Sequence, residues 1–287
     1  MTVPIARTLS DLRSVVRGWR DAGERVSVVP TMGALHEGHL SLVRAAKDQS
    51  ERVIVTLFVN PTQFGNLDDL ETYPRTEADD AKKLAPFEVD LLYAPDAGEI
   101  YPKGFATTVS VAGVSEGLCG DFRPGHFDAV ATVVAKLLLQ TAADVAFFGD
   151  KDYQQLHVIR RMARDLDIPV TIVACPTIRE PDRLAISSRN VQLSPADRKR
   201  APVLAATLFE AAGRIEAGEP VAEVLQDAVG ALEAAGFENF EYLELRAASD
   251  LRVLDRLDEP ARLLVATYLG TTRLIDNVEV GHGLDNR

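Results

Sequence analysis

Val26-Ser27-Val28-Val29-Pro30-Thr31-Met32-Gly33-Ala34-Leu35-His36-Glu37-Gly38-His39 decides how the rest of the chain is read. An apolar run at 26–29, bounded by Pro30 and followed by a helix-compatible run at 40–47, spells strand, tight loop and helix, the opening of a parallel α/β unit. His36 and His39 stand three residues apart at the helix entry, which puts both imidazoles on one face of the first turn. The backbone N–H groups there have no partner inside the helix and carry partial positive charge, so phosphate is a natural ligand. Gly33 and Gly38 remove the Cβ atoms that would hold a nucleotide away from the backbone. Two surface or capping histidines would show the same spacing. No Gly-Lys-Ser/Thr follows and no Gly-x-Gly-x-x-Gly is present, so neither the Walker loop nor the usual dinucleotide fingerprint applies.

With 287 residues, 46% of them hydrophobic, the chain can bury one large core or two of unequal size. A formal net charge of -12 argues against non-specific binding to nucleic acid or to an anionic membrane surface, since both need a positive field. Cys119 and Cys175 lie far apart without Cys-x-x-Cys spacing, which points to buried free thiols rather than a disulfide framework or a zinc site. No basic segment followed by an apolar core opens the sequence and no apolar run approaches membrane-spanning length, so the expected compartment is the cytoplasm.

Upstream of the opening strand, 9–23 reads as an amphipathic helix capped by Ser10, with Leu12, Val15, Val16 and Trp19 as its stripe. A second strand at 52–59 ends in Asn60-Pro61-Thr62-Gln63-Phe64-Gly65, at the strand end where doubly wound folds collect ligands. Asn60 and Gln63 there suit substrate hydrogen bonding and equally a turn. The acidic, aperiodic stretch 66–75 reads as a surface loop, and Thr76 as the cap of a helix to about Leu84. On that helix Asp79 and Asp80 read as solvated acids, with a metal or substrate role as the alternative. Strands follow at 89–94, 144–148 and 170–174, with an edge hairpin or ribbon around 107–111. His126, in Arg123-Pro124-Gly125-His126-Phe127, opens an apolar helix at 128–140 as a structural or a catalytic residue. The fourth strand empties into Gly149-Asp150-Lys151-Asp152-Tyr153-Gln154-Gln155, where a glycine followed by a mobile ammonium makes Lys151 a second phosphate anchor, and 153–165 is a helix.

Five strands alternating with helices predict an α/β fold, a Rossmann-like doubly wound parallel sheet covered on both faces. Leu184-Ala185-Ile186-Ser187-Ser188-Arg189-Asn190 then suits a phosphate-gripping loop and equally a helix cap. Beyond it the helices at 194–213 and 221–235 and the strands at 239–246 and 262–269, completed by 271–280, form a smaller C-terminal α+β domain. The expected division is 1–178 and 179–287.

Taken together, the His-Glu-Gly-His loop, the Gly-Asp-Lys-Asp segment and the Ile-Ser-Ser-Arg-Asn segment resemble the nucleotidylyltransferase superfamily, with its His-x-Gly-His signature and later Lys-Met-Ser-Lys-Ser-type loop. Six ordered segments, 30–39, 58–65, 73–75, 123–127, 147–155 and 186–190, are similar over essentially the whole chain to the pantothenate synthetase (pantoate–β-alanine ligase) family. That resemblance implies a ligase joining pantoate to β-alanine through a pantoyl adenylate, with ATP converted to AMP and pyrophosphate, Mg2+ required, and a homodimer as the working form. It places ATP on Met32, Gly33, Ala34, Leu35, His36, Glu37, Gly38 and His39, on Gly149, Asp150, Lys151 and Asp152, on Ile178, and on Ile186, Ser187, Ser188 and Arg189. Pantoate falls on Gln63 and Gln155, and β-alanine near Gln63.

By the same resemblance His39 matches the proton donor, with His36 and Lys151 beside it on the phosphates, while the metal ligands stay unassigned. The first domain would bind ATP and pantoate and the second would act as a lid. The chain departs from the family pattern at Asp150 for Glu, Arg183 for Gly, Ile186 for Met or Leu, and Val191-Gln192 for Arg-Tyr. A sibling activity that stops at nucleotidyl transfer, or a nucleotide-sensing module without turnover, are the rival readings.

Overall fold

Six short apolar runs pair edge to edge as an all-parallel sheet in the computed structural model, which describes residues 3–64, 70, 71 and 73–281. They are β1 (Ile5–Ala6), β2 (Val26–Thr31), β3 (Arg52–Leu57), β4 (Leu91–Tyr93), β5 (Val145–Gly149) and β6 (Thr171–Cys175), in the order β1-β4-β3-β2-β5-β6. Helices α1 (Leu9–Asp21), α2 (Glu37–Lys47), α3 (Glu77–Leu84), α4 (Ala97–Ile100), α5 (Cys119–Phe122), α6 (His126–Thr141) and α7 (Tyr153–Asp165) lie between these strands along the chain. Strand alternation explains how both faces are used. Val53 and Val55 pack in one core with Leu42, Val43 and Ala46 of α2, while Ile54 between them is equally buried toward the other face. Because β2 has β3 on one side and β5 on the other, the order of strands reverses at β2. The carboxyl end of β2 is therefore the topological switch point, where such sheets leave a crevice for ligands.

The chain divides into two compact units. The first holds the six-stranded sheet and comprises the described residues to 116 together with 123–150 and 155–176. The second comprises 117–122, 151–154 and the chain from 177 onward. Its sheet is antiparallel, β7 (Phe237–Ala247), β8 (Ala261–Leu269) and β9 (Thr272–Val280) in that order, accompanied by α8 (Pro195–Arg200), α9 (Pro202–Glu216) and α10 (Val221–Ala234). Leu204 and Leu208 of α9, Leu232 of α10 and Leu245, Leu263 and Val265 of the sheet share one apolar core. The fold class is the expected one, an α/β parallel sheet followed by a smaller α+β unit.

Several local readings change. The edge strand β1 is too short to leave a pattern in the sequence. Thr8, not Ser10, caps α1, its hydroxyl oxygen accepting from the Asp11 N–H at 3.1 Å. The stretch 107–111 forms no strand; instead the Val109 N–H donates to Thr132 Oγ1 at 2.9 Å. The single helix expected at 194–213 is two, because Pro202 has no N–H to continue the ladder of α8. Of the acidic loop expected at 66–75, residues 66–69 and 72 lie outside the described residues, as does Gly65. Among the described residues no helix is long and apolar enough to cross a membrane.

Candidate functional site

The loop leaving β2 is built by hydrogen bonds from distant parts of the chain. Gly33 at φ +83° and Ala34 at φ +51° turn left-handed in succession, a conformation an alanine holds only when its surroundings enforce it. Asp80 of α3 does so. Fully buried, it accepts from the N–H of Ala34 at 2.9 Å and of Leu35 at 2.8 Å, and from the Thr76 hydroxyl at 3.0 Å. Lys83, one turn on, donates to the Leu35 carbonyl at 2.7 Å. A Cβ on Gly33 would stand 3.2 Å from the Asp80 carboxylate and 3.3 Å from Leu57, so glycine serves both the turn and the acid. The solvated-acid reading fits Asp79, which is exposed and pairs with Lys82, but not Asp80.

His36 occupies the N-cap of α2 and His39 its third position, with ring centroids 4.1 Å apart and planes tilted by 37°. The His36 N–H donates to His39 Nδ1 at 3.3 Å. With Nδ1 accepting, the neutral His39 ring carries its proton on Nε2 and is a donor there. A Cβ on Gly38 would approach His36 Cε1 to 3.0 Å, so this glycine makes room for the imidazole. Glu37 points outward to Arg44 at 2.6 Å.

Gln63 sits in the 3-10 turn Pro61–Gln63 after β3 and donates from Nε2 to Met32 Sδ at 2.9 Å, linking the two loops. Asn60 is buried and bonded both within the turn and beyond it: Nδ2 donates to Gln63 Oε1 at 3.1 Å and to the Ala129 carbonyl at 3.3 Å, and Oδ1 accepts from the hydroxyls of Thr62 and Tyr101, both at 2.9 Å. His126 supports the same residue. Arg123 Nη1 lies 3.0 Å from His126 Nε2, and because a guanidinium only donates, Nδ1 is left to donate to the Gln63 carbonyl at 3.2 Å. The structural reading of His126 is the one this geometry favours. Gln155 is partly buried in the first turn of α7.

In the second unit Lys151 and the distant pair Ser187 and Arg189 line one small cleft together with Asn190, Arg273 and Asp276. The chain from Ile178 to Ile186 forms a hairpin, with the Ile186 N–H on the Ile178 carbonyl at 2.9 Å and a bridge between Arg179 and Ala185. Ser187 follows it, accepts from the Arg189 N–H at 3.2 Å and starts the 3-10 helix Ser188–Gln192. Burial lowers the pKa of Lys151 from its ordinary value; Asp152 and Asp276 oppose the shift, and Arg189 and Arg273 add to it. Arg273 is held by Glu241, which accepts from Nε at 3.0 Å on each oxygen, and donates from Nη2 to Cys119 Sγ at 3.3 Å. Cys119 in turn lies 3.1 Å from the Tyr242 hydroxyl, whose pKa is raised by burial first and by Cys119 next. A lysine, two arginines and a serine hydroxyl stand around one cleft, with Asp276 also in its wall and Arg273 paired to Glu241; the cationic groups and the hydroxyl are of the kind that suit phosphate oxygens.

Of the expected site residues, Met32, Gly33, Ala34, Leu35, His36, Glu37, Gly38, His39, Gln63, Gln155, Gly149 and Asp150 belong to the first unit, and Lys151, Asp152, Ile178, Ile186, Ser187, Ser188 and Arg189 to the second. The sequence does not single out Arg273, and it reads Asp80 as a solvated acid or a metal or substrate group, not as the brace of the histidine loop. Asp80 looks like any acid in a first helical turn, and Arg273 like the polar face of a strand; what distinguishes them is contact with segments 45 and 154 residues away.

Comparison with known proteins agrees with these features. The family model described as pantoate-beta-alanine ligase matches residues 4–279. A pantothenate synthetase of Chelativorans sp. (strain BNC1) is 67% identical over 280 residues, 98% of this chain and 99% of that protein. One of Roseobacter denitrificans is 59% identical over the same length, again 98% of this chain and 99% of that protein. The crystal structure of pantothenate synthetase from Thermus thermophilus superposes with a TM-score of 0.91 at 45% identity, covering 96% of this chain and 99% of that one. A pantoate-beta-alanine ligase from Francisella tularensis, complexed with beta-gamma ATP and beta-alanine, gives 0.80 at 34% identity over 96% of this chain and 97% of that one. A family match running nearly end to end, on a fold that carries the paired histidines at its switch point, is decisive: the chain belongs to the pantoate–β-alanine ligase family of enzymes.

Proposed function

We propose that this enzyme condenses pantoate with β-alanine in two steps driven by ATP. In the first, a pantoate carboxylate oxygen attacks the α-phosphorus of ATP, the bond to the bridging oxygen breaks, and pyrophosphate leaves a pantoyl adenylate. In the second, the neutral amine of β-alanine attacks the acyl carbon, AMP departs, and the nitrogen loses a proton as the amide forms. The observation that carries this reading is the family match over residues 4–279, supported by the grouping of Lys151, Ser187, Arg189 and Arg273 around one cleft. An anion attacking a polyphosphate meets repulsion, so catalysis consists largely of neutralising and aligning the phosphates, and these side chains supply positive charge and donors for that. His39, a donor from Nε2, and His36 supply the same from the switch-point loop. The Francisella relative's complex with beta-gamma ATP and beta-alanine supports the choice of ligands. Gln63 and Gln155 are assigned to pantoate, and Gln63 also to β-alanine.

The reading includes Mg2+ and a homodimer. Among the described residues no three His, Cys, Asp or Glu side chains group as metal ligands. The described residues thus present no preformed cage; in nucleotide enzymes Mg2+ is held mainly by phosphate oxygens, waters and one or two carboxylates. Both cysteines are free, in keeping with a reducing, cytoplasmic setting.

Isotope exchange tests the sequence of steps. Protein with ATP, Mg2+ and pantoate but no β-alanine should exchange labelled pyrophosphate into ATP, and adding β-alanine should release AMP and an amide in equal amounts. Release of ADP and phosphate, or exchange that needs β-alanine, would rule out the adenylate.

A further inference from the structure

Strand β9 carries two adjacent residues that hold both sides of the Lys151 cleft. Asp276, 2% exposed, accepts from the guanidinium of Arg179 on both oxygens, at 2.7 and 2.9 Å. Arg179 stands at the base of the hairpin that leads into Ser187 and Arg189. Asn277, 3% exposed, donates from Nδ2 to the carbonyl oxygen of Lys151 at 3.1 Å, and its Oδ1 accepts from Arg262 Nη1 at 3.0 Å. Arg262 lies over the ring of Tyr153 at 4.5 Å, and the Tyr153 hydroxyl donates to the Ala248 carbonyl at 2.9 Å. The turn Asp150–Asp152 is only three residues long, and the lysine stem beyond it is flexible. Where the ammonium can reach is therefore set by where its backbone is fixed, and the Asn277 amide is a fixing point on Lys151 itself.

We propose that Asn277 is a positioning residue for Lys151, acting through the lysine's carbonyl oxygen rather than by touching substrate. The proposal rests on the reading that Lys151 binds the phosphates of ATP. Asn277→Asp keeps the shape and the acceptor facing Arg262 but replaces the donor with an oxygen that repels the Lys151 carbonyl.

The expected result is a fall of about tenfold in kcat/KM for ATP, the equivalent of one hydrogen bond, with KM for pantoate and for β-alanine unchanged. A merely structural residue would not discriminate between backgrounds, so the same substitution is measured in Lys151→Ala. If Asn277 works through the ammonium, it should produce no further fall there. Equal falls in both backgrounds, or a rise in KM for pantoate matching that for ATP, overturn the proposal. If Lys151→Ala by itself leaves kcat/KM for ATP unchanged, the assignment of Lys151 to ATP is what has failed. Circular dichroism checks folding, and Asn277→Ala serves the same cycle should the aspartate variant not fold.

Discussion

Arg183 shows how a departure from a family pattern can be a backbone problem solved by a side chain. The family pattern places glycine where this chain has Arg183, and in the structure that residue adopts φ +73°, the left-handed region that favours glycine. The turn needs this angle because the Arg183 N–H closes on the Glu180 carbonyl at 2.8 Å, and the Glu180 N–H on that of Leu184 at 2.8 Å. The arginine has a compensating contact: its guanidinium lies 4.4 Å from the centroid of the Phe209 ring. A left-handed angle costs a non-glycine residue about 1 kcal/mol, and a cation–π contact at a partly exposed site returns about 0.5–1 kcal/mol. Arg183→Gly, which removes both, should therefore leave stability nearly unchanged in a urea titration. Arg183→Ala removes the contact and keeps the strain, so it should be less stable than the glycine variant by about 1 kcal/mol. An alanine variant as stable as the glycine one would mean that the angle is unstrained. The sequence displayed the departure but not its meaning, because the sign of φ follows from hydrogen bonds around the turn and not from residue type.

At the scale of elements, α3 is better described as the support of the β2–α2 loop than as a surface helix. Its buried Asp80 takes the N–H groups of Ala34 and Leu35, and Lys83 holds the Leu35 carbonyl, so one helical turn fixes donor and acceptor sides of the loop that carries His36 and His39. Asp80→Asn keeps the volume but presents an NH2 group to one of two backbone donors. A hydrogen bond to a charged group is worth about 1.5–3 kcal/mol, so the variant should lose about that much stability on urea unfolding. It should also show kcat/KM for ATP lowered at least tenfold, since the loop's left-handed pair loses its brace. Full activity with wild-type stability would show that the loop holds its shape unaided. The fold was readable at this scale wherever an element is long and periodic: α7 was expected at 153–165 and is found there, and β2, β3, β5 and β6 fall within a residue or two of their apolar runs. Legibility ended where partners are remote. β1 exists only because it pairs with β4, and the short run 107–111 is bonded to α6 instead of a neighbouring strand. The candidate site divides the same way, since the histidine loop, Lys151 and the serine-arginine segment carry local signatures, whereas Asp80, Arg273 and Asn277 act at long range.

For the whole molecule, the division into units does not follow the chain. A cut near 178 looks natural from composition, yet 117–122 and 151–154 belong to the C-terminal unit. Those two segments supply the Cys119 thiol to Tyr242 and Arg273, the Tyr153 hydroxyl to the Ala248 carbonyl, the Lys151 carbonyl to Asn277, and the Tyr153 ring beneath Arg262. Removing them takes away the buried Tyr153 side chain, about 1.5–3 kcal/mol, and ends several hydrogen bonds at about 1 kcal/mol each. The sum is on the order of 5 kcal/mol, a large part of the 5–15 kcal/mol that separates a domain from its unfolded chain. The core formed by Leu204, Leu208, Leu232, Leu245, Leu263 and Val265 would remain in such a fragment, so collapse is expected to persist while cooperative packing does not. A polypeptide of 177–287 should accordingly melt at least 10 °C below the full chain, or without a sharp transition, since about 1 kcal/mol shifts the midpoint of a domain this size by 4–8 °C. A cooperative melt within about 3 °C of the intact protein would show that the inserted segments are passengers on the second unit rather than parts of it.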